Sequence, residues 1–381
     1  MPADRHLIQV YDLGELPFHV GARPEPSNDG LPDRLRFVLG LDERADLLVQ
    51  MPDAAVEAHL ENAYELGSQI GTPLAETGLG RRCLDDFLAF VLETAGAQRL
   101  DGLSILEIGS GGGSLLRELA RRGADVVGVE PGATEVAGAG FEVIAEPFRA
   151  DRFDRRFDAI VHYGVLEHVP DPVAFVRDQL ELLDDGGFLA FSVPDCSLPI
   201  AHGDISMLVH EHWSYFTPES LEAVAALAGA QPAQGRPAGV AGAFYSAWSP
   251  GADREVRHDG ASAGFAGRAR ANLDRMRAHV AIASASGATL GVFCPGRFIN
   301  YEALLAGDLP RLRYFDDDPL LEGRFYPPSD VAIEPRAALL ADPVDHVIVA
   351  SWSFGRQIAA SLREERALAH AEVVTISDVL G

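Results

Sequence analysis

The stretch Leu103–Gly113, with the sequence LSILEIGSGGG, decides the fold of this 381-residue chain. Its apolar residues up to Ile108 predict a buried strand, and glycines follow directly where that strand must turn. The next residues, LLRELARRG, have the spacing of a helix. Glycine allows a tight backbone turn and lets a ligand approach the backbone closely. The stretch therefore predicts a strand, a ligand-contacting turn and a helix.

The rhythm of strand and helix continues after this stretch. ADVVGVE (124–130), the run Phe157–Val161 and GGFLAFSVP (186–194) have the apolar character of strands. Between the last two, DPVAFVRDQLELL (171–183) has helical spacing. Such alternation predicts the α/β class, with a Rossmann-like, doubly wound parallel sheet at the centre of the chain.

The regions around this sheet differ in pattern, which predicts four parts. Residues 1–75 form a small N-terminal segment over the substrate, with a hairpin from Leu35–Leu39 and Leu47–Met51 and a helix from Ala54. Residues 76–250 form the central domain, in which an amphipathic helix precedes Leu103 and Val240–Trp248 supplies an edge strand. Residues 251–285 form a linker helix, and 286–381 repeat the strand and helix rhythm as a second, smaller Rossmann-like domain.

The glycine turn alone fits two kinds of cofactor. Dinucleotide-binding proteins use GxGxxG followed by an acidic residue about 20 positions later, and Glu130 ends the next strand near that distance. Here, however, the sixth position is Ser114, and Glu107 stands two residues before Gly109, which gives ExGxGxG. That pattern favours S-adenosyl-L-methionine (SAM) over a nicotinamide dinucleotide.

This region resembles the class I SAM-dependent methyltransferases in the order and spacing of four motifs. The motifs are the glycine turn, FDAIV (157–161), GVLEHV (164–169) and LDDGG (183–187). The resemblance implies that Glu130 binds the ribose hydroxyls and that the Gly109–Gly113 turn contacts the amino-acid moiety. It also implies that Pro147 and Phe148 flank the adenine. The full set of expected cofactor contacts is Glu107, Gly109, Gly111, Gly113, Glu130, Pro131, Pro147, Phe148 and Tyr163.

A second dense motif is VHEHWSYF (209–216), in which two histidines flank Glu211. Metal-binding HExxH places its histidines one helical turn apart, whereas His210 and His212 are two residues apart and share a face only in an extended segment. The sequence offers no third ligand at a recognisable spacing. We therefore expect no metal at this motif.

The string HEHWSYFTPESLEAVAALAG (210–229) resembles the sugar C-methyltransferases that act on nucleotide-linked deoxy-ketosugars. DLGELP (12–17), LLVQ (47–50), PGR (295–297), DDDP (316–319), GRFYP (323–327) and ASWSF (350–354) extend the similarity over most of the chain. The resemblance implies C-methylation of a ketosugar through an enolate.

The chain departs from that family at two places. The family carries four zinc-binding cysteines near its N-terminus; here the chain starts after the first expected pair, and Asp42–Asp46 stands where the second would be. We therefore expect no zinc. The family often has a tyrosine directly before HEH, where this chain has Val209.

The catalytic roles follow from acid and base chemistry. Imidazole titrates near neutral pH, so His212 is the candidate base that removes a proton α to a carbonyl, and Glu211 orients or tunes a neighbouring imidazole. His168, at the end of the fourth strand, is expected to polarise or protonate the carbonyl oxygen. His210 and Tyr64 complete the candidate catalytic set.

Composition limits the partners. A formal net charge of −26 excludes a broad nucleic-acid or anionic-membrane footprint, because either needs clustered basic side chains. No apolar run reaches the length of a membrane span, the start has no apolar signal region, and Cys83, Cys196 and Cys294 form no CxxC pair. These features predict a cytoplasmic enzyme with a small-molecule substrate, for which a nucleotide sugar is the leading candidate. They leave the oligomeric state open.

Three alternatives stay open at this point. The first is O- or N-methylation of a sugar or natural-product small molecule. The second is a non-catalytic SAM-binding partner. The third is an NAD-linked reductase, which is disfavoured because GVFCPGRF (291–298) carries no GxGxxG.

Overall fold

A computed structural model describes residues 6–18, 21–28, 30–65, 74–132, 140–240, 242–252, 254–256, 258 and 260–381, with the backbone alone for 61–65. The strands are β1 Leu7–Pro17, β2 Arg34–Asp42, β3 Leu47–Gln50, β4 Ser104–Ile108, β5 Asp125–Val129, β6 Glu142–Ile144, β7 Phe157–Tyr163, β8 Leu183–Pro194, β9 Ser214–Tyr215, β10 Ala230–Pro237, β11 Ala243–Pro250, β12 Leu290–Phe293, β13 Leu312–Asp316, β14 Ile333–Pro335, β15 His346–Val349 and β16 Glu372–Thr375. The α-helices are α1 Ala54–Glu65, α2 Gly78–Ala95, α3 Ser114–Arg121, α4 Pro172–Leu180, α5 Ser197–His202, α6 Pro218–Ala228, α7 Phe265–Ser286, α8 Ile299–Leu304, α9 Arg336–Ala341, α10 Gly355–Glu364 and α11 Ile376–Leu380. Short 3₁₀ turns lie at Ala150–Arg152, Leu166–His168, Ile205–Met207, Ala261–Gly264, Pro295–Arg297 and Arg366–Leu368.

The central sheet has seven strands in the order β10-β11-β8-β7-β4-β5-β6. Its five strands from β8 to β6 are parallel, while β11 runs antiparallel to β8 and β10 antiparallel to β11. Apolar side chains cover both faces of this sheet: Leu106, Ile160 and Leu189 lie in one cluster, and Ile105, Ala159 and Ala190 in the other. Burial on both faces explains the nearly continuous apolar runs of its strands. The Rossmann-like prediction is confirmed.

The edge of this sheet differs from the prediction. The segment expected at the edge forms β11, which lies between β8 and β10, so the edge strand is β10. Its sequence, AQPAQGRP, is poor in β-branched and aromatic residues, and its side chains alternate between more and less exposed positions. Proline is tolerated on an edge strand because no ladder donor is needed there, which is why propensity alone does not identify β10.

The N-terminal sheet contains the predicted hairpin and one additional strand. Its order is β1-β2-β3-β9, with β2 and β3 antiparallel as expected. β9 comes from the HEHWSYF motif, and Leu48 pairs with Tyr215. This pairing brings the second motif of the sequence against residues 1–75.

The C-terminal sheet has five parallel strands in the order β14-β13-β12-β15-β16, which confirms the second Rossmann-like unit. One apolar cluster joins it to the N-terminal sheet and to the segment before His212, through Phe37, Leu208, Val292 and Tyr301 among others. α7, which was expected as a linker, buries Phe265, Met276 and Val280 in the same cluster. Within the residues that the structure describes, no helix is both long and apolar enough to cross a membrane.

Candidate active site

The glycine turn follows β4 at the carboxyl edge of the central sheet. Gly109, Gly111 and Gly113 have φ values of 70°, 49° and 72°, a region that L side chains rarely adopt. A Cβ atom at Gly109 would lie 2.6 Å from Cγ2 of Val165, which belongs to the loop after β7. Gly109 therefore lets the two loops pack together, and Gly111 faces open space in which a ligand can approach the backbone.

Glu130 directly follows β5, beside this turn. Its carboxylate accepts a hydrogen bond from the Gly111 amide at 2.9 Å and another from the Gly132 amide at 3.0 Å. The side chain is only partly buried. The carboxylate thus stands at the mouth of the glycine turn, with lone pairs still available to a hydroxyl donor.

Glu107 lies at the base of the turn and is 2% exposed. Burial raises the pKa of its carboxyl group well above the usual range, and nearby Glu130 raises it further. Its Oε2 has no hydrogen-bond partner in the described structure. A buried acceptor of this kind fits a cationic donor group bound at the turn.

The other expected cofactor contacts lie along the same edge. Pro131 is exposed directly after Glu130, and Pro147 is exposed after β6. Phe148 is partly buried and contacts Phe175 edge to face, with ring centroids 5.4 Å apart. Tyr163 ends β7, and burial raises the pKa of its phenol.

The HEH motif forms a turn at residues 210–211, and its two histidines face different elements. His210 is 2% exposed and lies between Phe18 and Phe37, at centroid distances of 5.4 and 5.2 Å. Its Nε2 lies 3.2 Å from the carbonyl of Leu35, and burial lowers the pKa of the ring to about 4. His210 therefore packs into the N-terminal sheet, and the structure does not bring it to His168.

His212 instead contacts His168. The two imidazole rings meet edge to face, with centroids 4.8 Å apart and planes at 86°. Nδ1 of His168 lies 3.0 Å from the backbone carbonyl of Glu211. Since a carbonyl only accepts, Nδ1 carries the proton, and neutral His168 has its lone pair on Nε2. Burial lowers the pKa of His168 to about 4, so the ring is neutral at pH 7. The side chain of Glu211 is also buried.

Glu167 is the group that sequence reasoning did not assign. Its Oε1 lies 3.9 Å from Nε2 of His168, and burial raises the pKa of its carboxyl group to about 8. Glu167, His168 and His212 offer ligand atoms that all lie within 4.8 Å of one another, the one such group among the described residues. Two ligands on one tetrahedral zinc ion are about 3.3 Å apart, so this group would have to contract to hold a metal.

Two further expectations concern the N-terminal segment. The side chain of Tyr64 lies outside the described residues. Arg44 and Asp42, in the turn where the second cysteine pair of the sugar methyltransferases would stand, form an ion pair at 2.8 Å.

Comparison with known proteins gives matches to the central part of the chain. Residues 80–234 match the family described as "Methyltransferase domain". The ubiquinone biosynthesis O-methyltransferase of Alkalilimnicola ehrlichii is 38% identical over 24% of this chain and 42% of its own length. The protein of that name from Ralstonia nicotianae is 32% identical over 35% of this chain and 66% of its own length. Matches to the curated relatives thus span about half to two thirds of those proteins.

Among solved structures, the 1,6-didemethyltoxoflavin-N1-methyltransferase of Burkholderia thailandensis is 17% identical, with a TM-score of 0.40. The match covers 54% of this chain and 96% of that one.

Proposed function

We propose, from the premise that residues 80–234 form a class I SAM-dependent methyltransferase domain, that this chain methylates a small molecule. The observation that carries the proposal is the packing of the glycine turn against the loop that bears His168. A Cβ atom at Gly109 would lie 2.6 Å from Cγ2 of Val165, and the His168–His212 pair follows at the same sheet edge. This packing supports a cofactor site and a proton-transfer site side by side, at the sheet edge where open α/β sheets bind their ligands.

The residues around the glycine turn fit SAM. Glu130 would hold the ribose hydroxyls, the backbone of Gly109–Gly113 would face the amino-acid moiety, and Pro131, Pro147 and Phe148 would border the adenine. The unpartnered Oε2 of Glu107 lies under the turn, where it favours a positively charged amino group. When bound, SAM supplies an electrophilic methyl group on a sulfonium.

For the reaction, we assign C-methylation of a nucleotide-linked ketosugar or a related intermediate. Its main support is the HEHWSYF motif, which contributes β9 and sets His212 against His168. His212 accepts the proton α to the carbonyl. It is less buried than His210, so a substrate can reach it.

The tautomer of His168 limits which proton transfers this side chain can make. With Nδ1 donating to Glu211, Nε2 of the neutral ring accepts a proton and cannot give one. Polarising a carbonyl oxygen through Nε2 would require the protonated ring, which burial opposes. Below pH 8 the Glu167 carboxyl is protonated and can donate a hydrogen bond. We therefore propose that Glu167 donates this bond to the substrate carbonyl oxygen and stabilises the enolate while the α proton passes to His212. When the enolate carbon takes the methyl group the carbonyl re-forms, Glu167 keeps its proton and His168 stays neutral.

A second candidate function is O- or N-methylation of a hydroxyl or amine, with His212 as the base. It is favoured by the relatives that match the central domain, which are named O-methyltransferases. A non-catalytic SAM-binding role is a weaker candidate, because the turn, Glu130 and the histidine pair are all present together.

Product analysis tests these functions directly. The protein is incubated with SAM carrying a ¹³C-labelled methyl group and a panel of nucleotide-linked ketosugars, and the product is examined by NMR. Coupling of the labelled methyl to a ring carbon supports C-methylation, whereas a methoxy or N-methyl signal supports the second candidate. SAM binding without any turnover of sugars, phenols or amines would contradict both.

A further inference from the structure

A buried carboxylate joins the C-terminal sheet to the segment that precedes His212. Asp204 is fully buried, and its carboxylate accepts from the Tyr301 hydroxyl at 2.7 Å and from the Trp352 indole N–H at 2.5 Å. The amide and hydroxyl of Ser206 add two more hydrogen bonds, at 2.9 and 2.5 Å. Tyr301 lies on α8 after β12, and Trp352 follows β15. A helix and a loop of the C-terminal unit therefore hold one side chain of the central domain.

A neighbouring residue of the same unit holds the backbone of this segment. The Asn300 side-chain amide donates to the carbonyl of Ile205 at 2.8 Å and to that of Leu208 at 2.7 Å. Asn300 is 3% exposed, so water does not replace these bonds readily.

Hydrogen bonds connect the end of this segment, at Val209, to His212. The Tyr215 hydroxyl bonds both the amide and the carbonyl of Val209, at 3.2 and 3.0 Å. The same Val209 carbonyl accepts from the His212 amide at 3.1 Å. A displacement of residues 204–209 would therefore move the His212 backbone relative to His168.

The number of donors shows how firmly the segment is held. A buried carboxylate needs its lone pairs filled, and hydrogen bonds to a charged group are each stronger than those between neutral groups. Asp204 has four donors, two of them from the C-terminal unit. Removal of either one leaves a buried charge partly unsatisfied and loosens the segment.

We propose that Asn300, Tyr301 and Trp352 are positioning residues, through which the C-terminal unit sets the place of His212. Their effect on catalysis rests on the proposed function, in which His212 is the base. Their effect on the geometry of residues 204–212 is independent of the proposed function.

The test compares Tyr301→Phe and Trp352→Phe with a matched control, Tyr314→Phe. Tyr301→Phe and Tyr314→Phe each remove one buried hydroxyl donor and keep the ring, while Trp352→Phe removes the indole N–H together with part of the ring. Tyr314 lies on β13 of the C-terminal sheet and donates to Glu302 instead of Asp204. Hydrogen exchange of the full-length protein is followed by mass spectrometry. Binding of S-adenosylhomocysteine (SAH), kcat and KM are measured on the same variants.

We expect exchange in residues 204–212 to rise by about ten-fold or more in Tyr301→Phe and Trp352→Phe, from the loss of one charge-assisted hydrogen bond. Tyr314→Phe should leave exchange in these residues unchanged. SAH affinity and the KM for SAM should stay near wild type while kcat falls, a split that general destabilisation does not produce.

Equal exchange of residues 204–212 in Tyr301→Phe and Tyr314→Phe would overturn the proposal, as would a uniform rise across the C-terminal unit with no local excess. Hydrogen exchange can be measured without a methyl acceptor. A loosened segment in a protein that methylates none of the offered substrates would therefore support the positioning role and contradict the proposed function.

Discussion

His168 donates a hydrogen bond from Nδ1 to the backbone carbonyl of Glu211, across a distance of 3.0 Å. This bond ties the loop after β7 to the HEH motif and fixes which ring nitrogen of His168 has a lone pair. Because Val165 of the same loop packs closely against Gly109, this loop links the glycine turn to the HEH motif.

Glu130→Ala should weaken SAH binding by about 10- to 100-fold, because a carboxylate that accepts from two ribose hydroxyls contributes charge-assisted hydrogen bonds. Isothermal titration calorimetry measures the change. Glu142→Ala is the control, since Glu142 is an exposed carboxylate on β6. The idea fails if the wild-type protein binds no SAH or if both variants bind it equally.

Gly109→Ala should lower stability by about 1–2 kcal/mol through its positive φ alone, with an added loss from contact with Val165. Gly112→Ala is the matched control, because a Cβ there meets nothing within 4 Å. The double variant Gly109→Ala/Val165→Ala should recover part of the loss. Urea unfolding and SAH titration give both quantities; equal effects at 109 and 112 would refute the steric argument.

His212→Ala should lower kcat by roughly 10²- to 10⁴-fold while SAM affinity stays nearly unchanged, because a general base acts on the transition state. For C-methylation, the wild type should also exchange the α-hydrogen of its substrate with deuterated water, and the variant should lose this exchange. His370→Ala, at an exposed histidine, serves as the control. Near-wild-type turnover by His212→Ala would eliminate His212 as the base.

His162→Leu should raise stability and flatten its dependence on pH. His162 is fully buried, stacks on Phe191, and has no hydrogen-bond partner at either ring nitrogen within the described structure. Burial lowers its pKa to about 3, whereas the unfolded chain takes up the proton near pH 6.5. The wild type therefore loses stability as the pH falls from 6.5 toward 3, by up to about 1.4 kcal/mol per pH unit for this proton.

The variant should gain about 1–2 kcal/mol at pH 7, since the unsatisfied nitrogens are removed. Urea unfolding at pH 7 and pH 5 checks both effects. His370→Leu should leave the slope unchanged. If the stability of His162→Leu falls between pH 7 and pH 5 as steeply as that of the wild type, the prediction that His162 is buried in its neutral form is wrong.

Elemental analysis should find no stoichiometric transition metal, and EDTA should not reduce turnover. Oε1 of Glu167 and Nε2 of His168 lie 3.9 Å apart, wider than the roughly 3.3 Å between two ligands of one zinc ion, and the chain carries no CxxC pair. One bound metal per chain that is lost in Glu167→Gln would contradict this and would remove His212 from the role of base.

Local patterns of the sequence are sufficient to predict the glycine turn, the hairpin of β2 and β3, and the parallel strands of the central and C-terminal sheets. These features depend on residues that are close in the chain or on simple periodicity. The two-residue spacing of His210 and His212 leaves open whether they share a face, because that depends on the local backbone, and which of them meets His168 could not be predicted. That choice depends on β9 pairing with β3.

Glu167 and Asp204 were not assigned a role for a related reason. The motif GVLEHV contains Glu167, but its raised pKa comes from tertiary burial, which a single sequence does not display. The partners of Asp204 come from Tyr301 and Trp352, far along the chain, and no spacing rule links them.

The pairing of β3 with β9 also imposes an order on events during synthesis. Leu48 leaves the ribosome long before Tyr215, so the N-terminal sheet lacks its fourth strand until most of the central domain has been made. Its completion closes a very long loop, which is entropically slow. The N-terminal sheet therefore reaches its full width of four strands only after residues 214 and 215 have been synthesised.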